Sequence, residues 1–270
     1  MINSVRMHWL DQGEGEPIVF IHGFPFSSRM WEQQLASLPA GWRGIAPDLR
    51  GFGASGHGPA GPYTMDIFAD DVAGLLDYLG IPSAVICGLS MGGYVAFALH
   101  RRYPQKVRGL VLCNTRPGAD TEDVRRNRLV HAARVRQEGV APVVESMLPR
   151  LFSDLSKRKH PEAVMLIREI MESTSPETMA RALEGMAQRP SSEAQLRDIA
   201  VSTLIIHGDD DAIIPRGEAQ MMARNLRGAR LEILEDCGHL SNLEYPGEFN
   251  RHLHDFLANL PPYFGELKLA

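Results

Sequence analysis

Short apolar runs alternate along the chain with longer segments of helical spacing. Pro17–Ile21, Gly44–Pro47, Ala84–Cys87, Val107–Cys113, Thr203–His207 and Arg230–Leu234 read as strands, several of them hydrophobic almost without a break. An uninterrupted apolar strand has both faces covered, which predicts a mostly parallel sheet whose crossover helices pack on either side. Between the runs, Ser28–Leu38, Thr64–Leu79 and Pro246–Leu260 carry apolar residues at intervals of three and four. In the second, Ile67, Phe68, Val72, Leu75, Leu76 and Leu79 trace one stripe. Pro246 stands where the first turn of a helix tolerates proline. Val5–Leu10 predicts an antiparallel edge strand. The fold class these elements predict is α/β, a sandwich with helices on both faces of the sheet.

One region departs from the alternation. From Asn114 to Asp198 there is no strand-like run, and the spacing predicts helices over Thr121–Glu138, Pro142–Phe152, Pro161–Ser173 and Pro176–Gln188. The expected organisation is a core of residues 1–113 and 199–267 interrupted by a helical cap, residues 114–198, over the C-terminal edge of the sheet. The final residues, Lys268-Leu269-Ala270, read as the start of a vector-derived tail. The first helix of the insertion is rich in arginine (Arg125, Arg126, Arg128, Arg134, Arg136), a pattern also met on nucleic-acid surfaces, but acidic residues elsewhere in the insertion balance it.

Composition narrows the classes of function. A chain of 270 residues with 44% hydrophobic and 23% charged residues buries a core without covalent staples. A net charge of −5 argues against nucleic acid as the partner. Cys87, Cys113 and Cys237 are too few and too scattered for a disulfide framework, and the first two, set in apolar runs, read as buried thiols. No apolar stretch approaches the ~20 residues that span a bilayer, and the first residues lack a signal-peptide pattern, so the expectation is a cytoplasmic protein with no membrane partner. Oligomeric state is not legible.

The chemistry centres on Gly88-Leu89-Ser90-Met91-Gly92, between the run Ala84–Cys87 and a helical segment of small residues. A serine flanked by glycines at a strand-to-helix junction sits on a sharp turn that exposes its hydroxyl. Such a hydroxyl needs a base, and the base needs an orienting acid. Among ten histidines, His239 follows the final strand in a loop returning to the C-terminal edge of the sheet. His100, His252 and His254 sit in helical runs, His207 ends a strand, and His131 and His160 belong to the insertion. Acid candidates cluster at Asp209-Asp210-Asp211, after the strand Thr203–His207. A solvated acidic turn accounts for two of the three, and Asp211 opens an Asp-x-x-x-Pro stretch ending at Pro215. Ser90, Asp211 and His239 follow the order nucleophile, acid, base, and strand C-termini are where such sheets gather catalytic groups.

Taken together, the motifs resemble the α/β-hydrolase superfamily over nearly the whole chain. They are His22-Gly23-Phe24-Pro25, Asp48-Leu49-Arg50-Gly51-Phe52-Gly53-Ala54-Ser55, Gly88–Gly93, Gly208–Pro215, and Gly238-His239 followed by Glu244-Tyr245-Pro246. The family's Gly-x-x-Asp-x-x-x-Pro pattern maps its acid onto Asp211. Members that place the acid one strand earlier have no counterpart here, because Asn114 stands at that position. The resemblance also implies an oxyanion hole made by the backbone N–H groups of Phe24 and Met91. A serine at the elbow separates the chain from similar branches with an aspartate nucleophile, the haloalkane dehalogenases and epoxide hydrolases. What remains looks like 3-oxoadipate enol-lactonases and cofactor-free esterases.

Two motifs are decoys. Gly51-Phe52-Gly53-Ala54-Ser55-Gly56 matches a dinucleotide fingerprint, but Pro59, Gly61 and Pro62 follow where a helix would have to open. The aspartate trio lacks a histidine or cysteine cluster with ligand spacing, so neither cofactor nor metal is expected. The expected activity is a carboxylesterase-type serine hydrolase acting on small to medium acyl groups, with a small-molecule ester or lactone as partner. Enol-lactone, lactone or C–C bond hydrolysis, perhydrolysis, and a hydrolase-like small-molecule receptor with little turnover are the alternatives. Met147, Leu151 and Phe152 of the insertion are the expected apolar contacts to substrate.

Overall fold

A computed structural model describes residues 1–261; the expected tail, Lys268–Ala270, lies outside the described residues. Among these, seven strands form one sheet: β1 (Trp9–Gly13), β2 (Glu16–Ile21), β3 (Trp42–Pro47), β4 (Ala84–Leu89), β5 (Val107–Cys113), β6 (Ser202–Gly208) and β7 (Arg230–Leu234). Their order is β1-β3-β2-β4-β5-β6-β7, with β1 antiparallel to β3 and the remaining pairs parallel. Each central strand feeds two cores. In β2, Val19 and Ile21 join one and Ile18 and Phe20 the other; in β4, Ile86 opposes Val85 and Cys87 in the same way. The two-residue alternation of a strand turns an unbroken apolar run into two buried faces.

Helices cover both. α1 (Glu32–Ala36) contributes Leu35 to the second core, whereas α2 (Met65–Tyr78) and α3 (Met91–Arg102) lie in the first through Phe68, Val72, Val95 and Leu99. Thr64 Oγ1 caps α2 by accepting from Ile67 N at 3.2 Å. Between β5 and β6 run α4 (Glu122–Glu138), α5 (Ala141–Leu151), α6 (Asp154–Lys159), α7 (Pro161–Ser173) and α8 (Pro176–Ala187). α4 and α8 add Val135 and Met179 to the first core, and α5 and α7 add Leu148 and Ile167 to the second. The chain closes with α9 (Arg216–Asn225), α10 (Ser241–Glu244) and α11 (Pro246–Ala258), whose Phe249 and Leu253 pack in the second core.

The edge strand differs from its expected position: it spans Trp9–Gly13, not Val5–Leu10. Val5 and Met7 are buried, which produced the alternation. Their segment instead bonds to loops, with Gly56 N donating to Arg6 O and Asp48 N to His8 O, each at 2.9 Å. The strand runs on into exposed Asp11 and Gln12, since an edge with a solvated face needs no apolar pattern. The short helix α6 carries no apolar stripe; Ser153 starts it, its Oγ accepting from Ser156 N.

Candidate active site

β3 lies on one side of β2 and β4 on the other, so the strand order reverses there while the strands stay parallel, and chains leaving the C-terminal ends of β2 and β4 in opposite directions open a crevice. Phe24, Ser90, Met91, Asp211 and His239 follow the C-terminal ends of β2, β4, β6 and β7, whereas Met147, Leu151 and Phe152 belong to α5 and its end. Ser90 joins β4 to α3 with φ +54° and ψ −113°. A non-glycine residue held there costs about 1–3 kcal/mol, so the surroundings must impose it. Ser90 N donates to Cys113 O at 2.9 Å, and Thr115 Oγ1 donates to Ser90 O at 2.8 Å. The glycines are steric requirements: a Cβ at Gly92 would stand 2.1 Å from Ile21 O, and one at Gly88 2.3 Å from Gly92 O.

The loop after β2 carries Phe24, joined to Pro25 by a cis peptide bond. Buried His22 shapes it. Its Nε2 accepts from Leu49 N at 3.1 Å, so the proton sits on Nδ1, which donates to Gly23 O at 2.9 Å. Burial lowers the pKa of this ring and favours the neutral form. Among the described residues, neither Phe24 N nor Met91 N donates to a protein acceptor. Met91 opens α3, where the first turn leaves its N–H groups without intrahelical partners.

Asp211, after β6, and His239, after β7, form a direct pair. His239 Nδ1 donates to Asp211 Oδ2 at 2.8 Å, and both side chains are fully buried. Asp211 Oδ1 accepts from Ile213 N at 2.8 Å and Ile214 N at 3.0 Å, while Asn114 Nδ2 donates to Oδ2 at 3.0 Å. Burial alone would raise the pKa of this carboxyl. The His239 ring and the N–H donors outweigh it and push the value down to about 2. Because the folded pKa lies below the unfolded one, the stability this group contributes is complete above about pH 4 and lost as pH falls toward 2. The contribution is about 2 kcal/mol. Urea midpoints of the wild type and Asp211→Asn should therefore converge across that window. A gap that persists at pH 2 would contradict this. Asp209 and Asp210 are exposed, and Asp209 Oδ1 accepts from Cys237 N at 3.3 Å.

His239 Nε2 is buried with no protein partner, which leaves one ring nitrogen available to exchange a proton. The three cysteines are free and buried. Burial, with the charges of Glu244, Asp211 and Asp209, holds the Cys237 thiol far above its usual range, so it offers no competing thiolate nucleophile. Among the described residues, no group of three or more His, Cys, Asp or Glu side chains is placed to hold a metal ion.

Two residues without an assigned role hold the site together. Asn114 Nδ2 also donates to Gly238 O at 3.1 Å, and Ser241 Oγ donates to Asn114 Oδ1 at 2.6 Å, so one amide joins the loops of Asp211 and His239. Its signals in the sequence are a polar side chain directly after β5 and its place where some similar proteins carry the acid. Buried Glu244 accepts from Gly238 N (2.9 Å), Leu240 N (3.1 Å) and Ser153 N (2.9 Å). It thereby clamps both neighbours of His239 and ties them to the α5–α6 junction. Glu244→Gln turns one acceptor oxygen into a donor facing N–H groups and should destabilise the fold by about 1–3 kcal/mol. A urea unfolding midpoint equal to that of wild type would refute the clamp.

The insertion residues divide. Met147 lines a cavity of about 320 Å³ that also touches Phe24 and Ile213. Leu151 and Phe152 are buried in the second core and do not line that cavity. Leu151 meets the site through its backbone, its carbonyl accepting from His239 N at 3.0 Å.

A mostly parallel seven-stranded sheet with a serine on the turn after β4 defines a hydrolase of the α/β class. The chain belongs to the alpha/beta hydrolase fold family, whose profile matches residues 16–246. It is 31% identical over 242 residues to 3-oxoadipate enol-lactonase 2 of Acinetobacter baylyi, covering 88% of this chain and 87% of that one. It is 29% identical to a 2-hydroxymuconate semialdehyde hydrolase of a Pseudomonas species, covering 94% and 91%. A thermophilic esterase from Thermogutta terrifontis superposes with a TM-score of 0.92 at 40% identity, over 95% of this chain and 94% of the other.

Proposed function

We propose that this protein hydrolyses carboxylic esters of small to medium acyl groups through an acyl-enzyme formed on Ser90. The observations that support the reading are the buried pair Asp211–His239 at 2.8 Å, with His239 Nε2 lacking a protein partner among the described residues, and a serine held at φ +54° on the turn after β4. His239 Nε2 takes the Ser90 proton as Oγ attacks the carbonyl. Asp211 fixes the tautomer and stabilises the imidazolium. The N–H groups of Phe24 and Met91 receive the oxyanion, each worth about 3 kcal/mol in the transition state. His239 returns the proton to the leaving alcohol, and water then releases the acid. The insertion, residues 114–198, acts as the cap that selects the acyl group.

A second reading, hydrolysis of an enol-lactone or of a carbon–carbon bond, draws on the activities in the names of the Acinetobacter and Pseudomonas relatives. A fluorophosphonate probe followed by peptide mass mapping should place the adduct on Ser90. p-Nitrophenyl acetate and butyrate should be cleaved faster than lactones or a vinylogous 1,5-diketone. An adduct elsewhere would refute the nucleophile. Labelling of Ser90 with faster lactone or diketone cleavage would favour the second reading. Labelling with no turnover of any of these would leave a hydrolase-like receptor.

A further inference from the structure

We propose that the substrate carries a carboxylate at the end of its acyl group remote from the scissile carbonyl, received by Arg150 with support from Arg128 and His131. The inference rests on the ester-hydrolase reading above and specifies its substrate class. The cavity of about 320 Å³ is lined by two residues next to the candidate site, Phe24 and Ile213, though not by Ser90 or His239 themselves. Phe24 offers one oxyanion N–H, and Ile213 N holds Asp211. Around this apolar floor the lining includes Arg128, His131 and Arg150 and neither aspartate nor glutamate. A volume near 300 Å³ is at the small end of ligand sites, suited to a short acyl chain.

Of the cationic side chains, Arg150 has no carboxylate partner among the described residues, whereas Arg128 is paired. Arg150, near the end of α5, donates through Nη2 to Ala212 O at 2.8 Å, a neutral partner next to Asp211. Among the described residues, no carboxylate lies within 4 Å of its guanidinium nitrogens. Arg128 donates to Asp120 at 2.5 Å, but the same carboxylate also serves Arg116 at 2.7 Å and Arg189 at 3.0 Å. Three guanidinium groups thus share one carboxylate, and of the three Arg128 lines the cavity. His131 follows Arg128 by three positions on α4, so both project from one face of the helix. The protein as a whole is acidic, at −5, so a cationic cavity is a local arrangement and not a bulk property. A planar guanidinium receives a carboxylate through paired N–H groups, and because Arg150 is exposed the attraction is screened by salt.

A matched pair of substrates tests this: the p-nitrophenyl half-ester of glutarate, an anion, and its methyl-capped neutral diester. The expected wild-type kcat/KM is at least about 10-fold higher for the anion, and the preference should shrink in 1 M salt. Arg150→Gln should bring the ratio toward one and Arg150→Lys should restore part of it. Arg251→Gln, on the remote helix α11, should keep the wild-type ratio. Binding is read separately on Ser90→Ala by calorimetry, with monomethyl glutarate against dimethyl glutarate. The anion should bind at least about 10-fold more tightly, and a second substitution at Arg150 should abolish the difference. Equal binding of the two, or a ratio unmoved by Arg150→Gln, would overturn the carboxylate site. Preferential binding of the anion without Ser90-dependent turnover would instead overturn the esterase reading and leave this inference standing.

Discussion

Ser90→Ala is expected to lower p-nitrophenyl butyrate turnover by about a million-fold, leaving only what binding and the oxyanion donors supply. The methyl side chain retains the backbone bonds to Cys113 O and Thr115 Oγ1, so the elbow stays folded. Residue 90 keeps its φ of +54° and the strain that goes with it, and the urea midpoint should move by less than about 0.5 kcal/mol. A stopped-time assay beside the thermal profile separates the two effects. Equal slow release of nitrophenol by both proteins would remove Ser90 from the chemistry.

Asp211→Asn should cost about 1,000- to 10,000-fold in kcat, while Asp209→Asn and Asp210→Asn should stay within a few-fold of wild type. The reason is the hydrogen-bond arrangement around the carboxylate. Four donors converge on its two oxygens, from Ile213 N, Ile214 N, Asn114 Nδ2 and His239 Nδ1. An amide has one acceptor oxygen, so its NH2 group must face at least one donor. If it faces the ring, His239 is driven to the tautomer that protonates Nε2 and cannot accept from serine. Asp209 and Asp210, exposed at the turn, offer His239 no buried charge. Steady-state rates for the three variants decide the matter; a large loss in Asp209→Asn or Asp210→Asn with a mild one in Asp211→Asn would reverse the assignment.

How the sheet was legible follows from the strands themselves. Val107–Cys113 and Arg230–Leu234 occupy their predicted boundaries; the first is buried along its length except at Arg108, while the second is half-buried and carries Arg230 and Glu232 among its apolar positions. α7 begins and ends as predicted, at Pro161 and Ser173. Where a segment is half solvated, pattern is a weaker guide. Val5 and Met7 alternate like a strand yet are buried against loops, and the true edge strand continues through exposed Asp11 and Gln12.

The candidate site divides in a similar way. The Gly-x-Ser-x-Gly turn, the Asp-x-x-x-Pro stretch and the histidine after β7 are local patterns, visible because turn sterics and strand ends constrain nearby residues. Asn114 and Glu244 act on loops far away in sequence: Asn114 donates to Asp211 and Gly238, and Glu244 accepts from Ser153. Nothing in the neighbourhood of either residue announces those partners. The same holds for Leu151 and Phe152, apolar in sequence whether they line a cavity or fill a core, and placed by packing in the core.

By itself, the sequence determined the α/β architecture, the strand-to-helix turn at Ser90 and the order of its candidate partners. Each depends on periodicity or on steric limits within a few residues. Only the tertiary structure decided that Asp211 is buried against His239 while its two neighbours are exposed. It also decided that three arginines share Asp120 and that Arg150 faces a cavity without a carboxylate. Charge balance and burial are sums over groups that the fold brings together from distant parts of the chain.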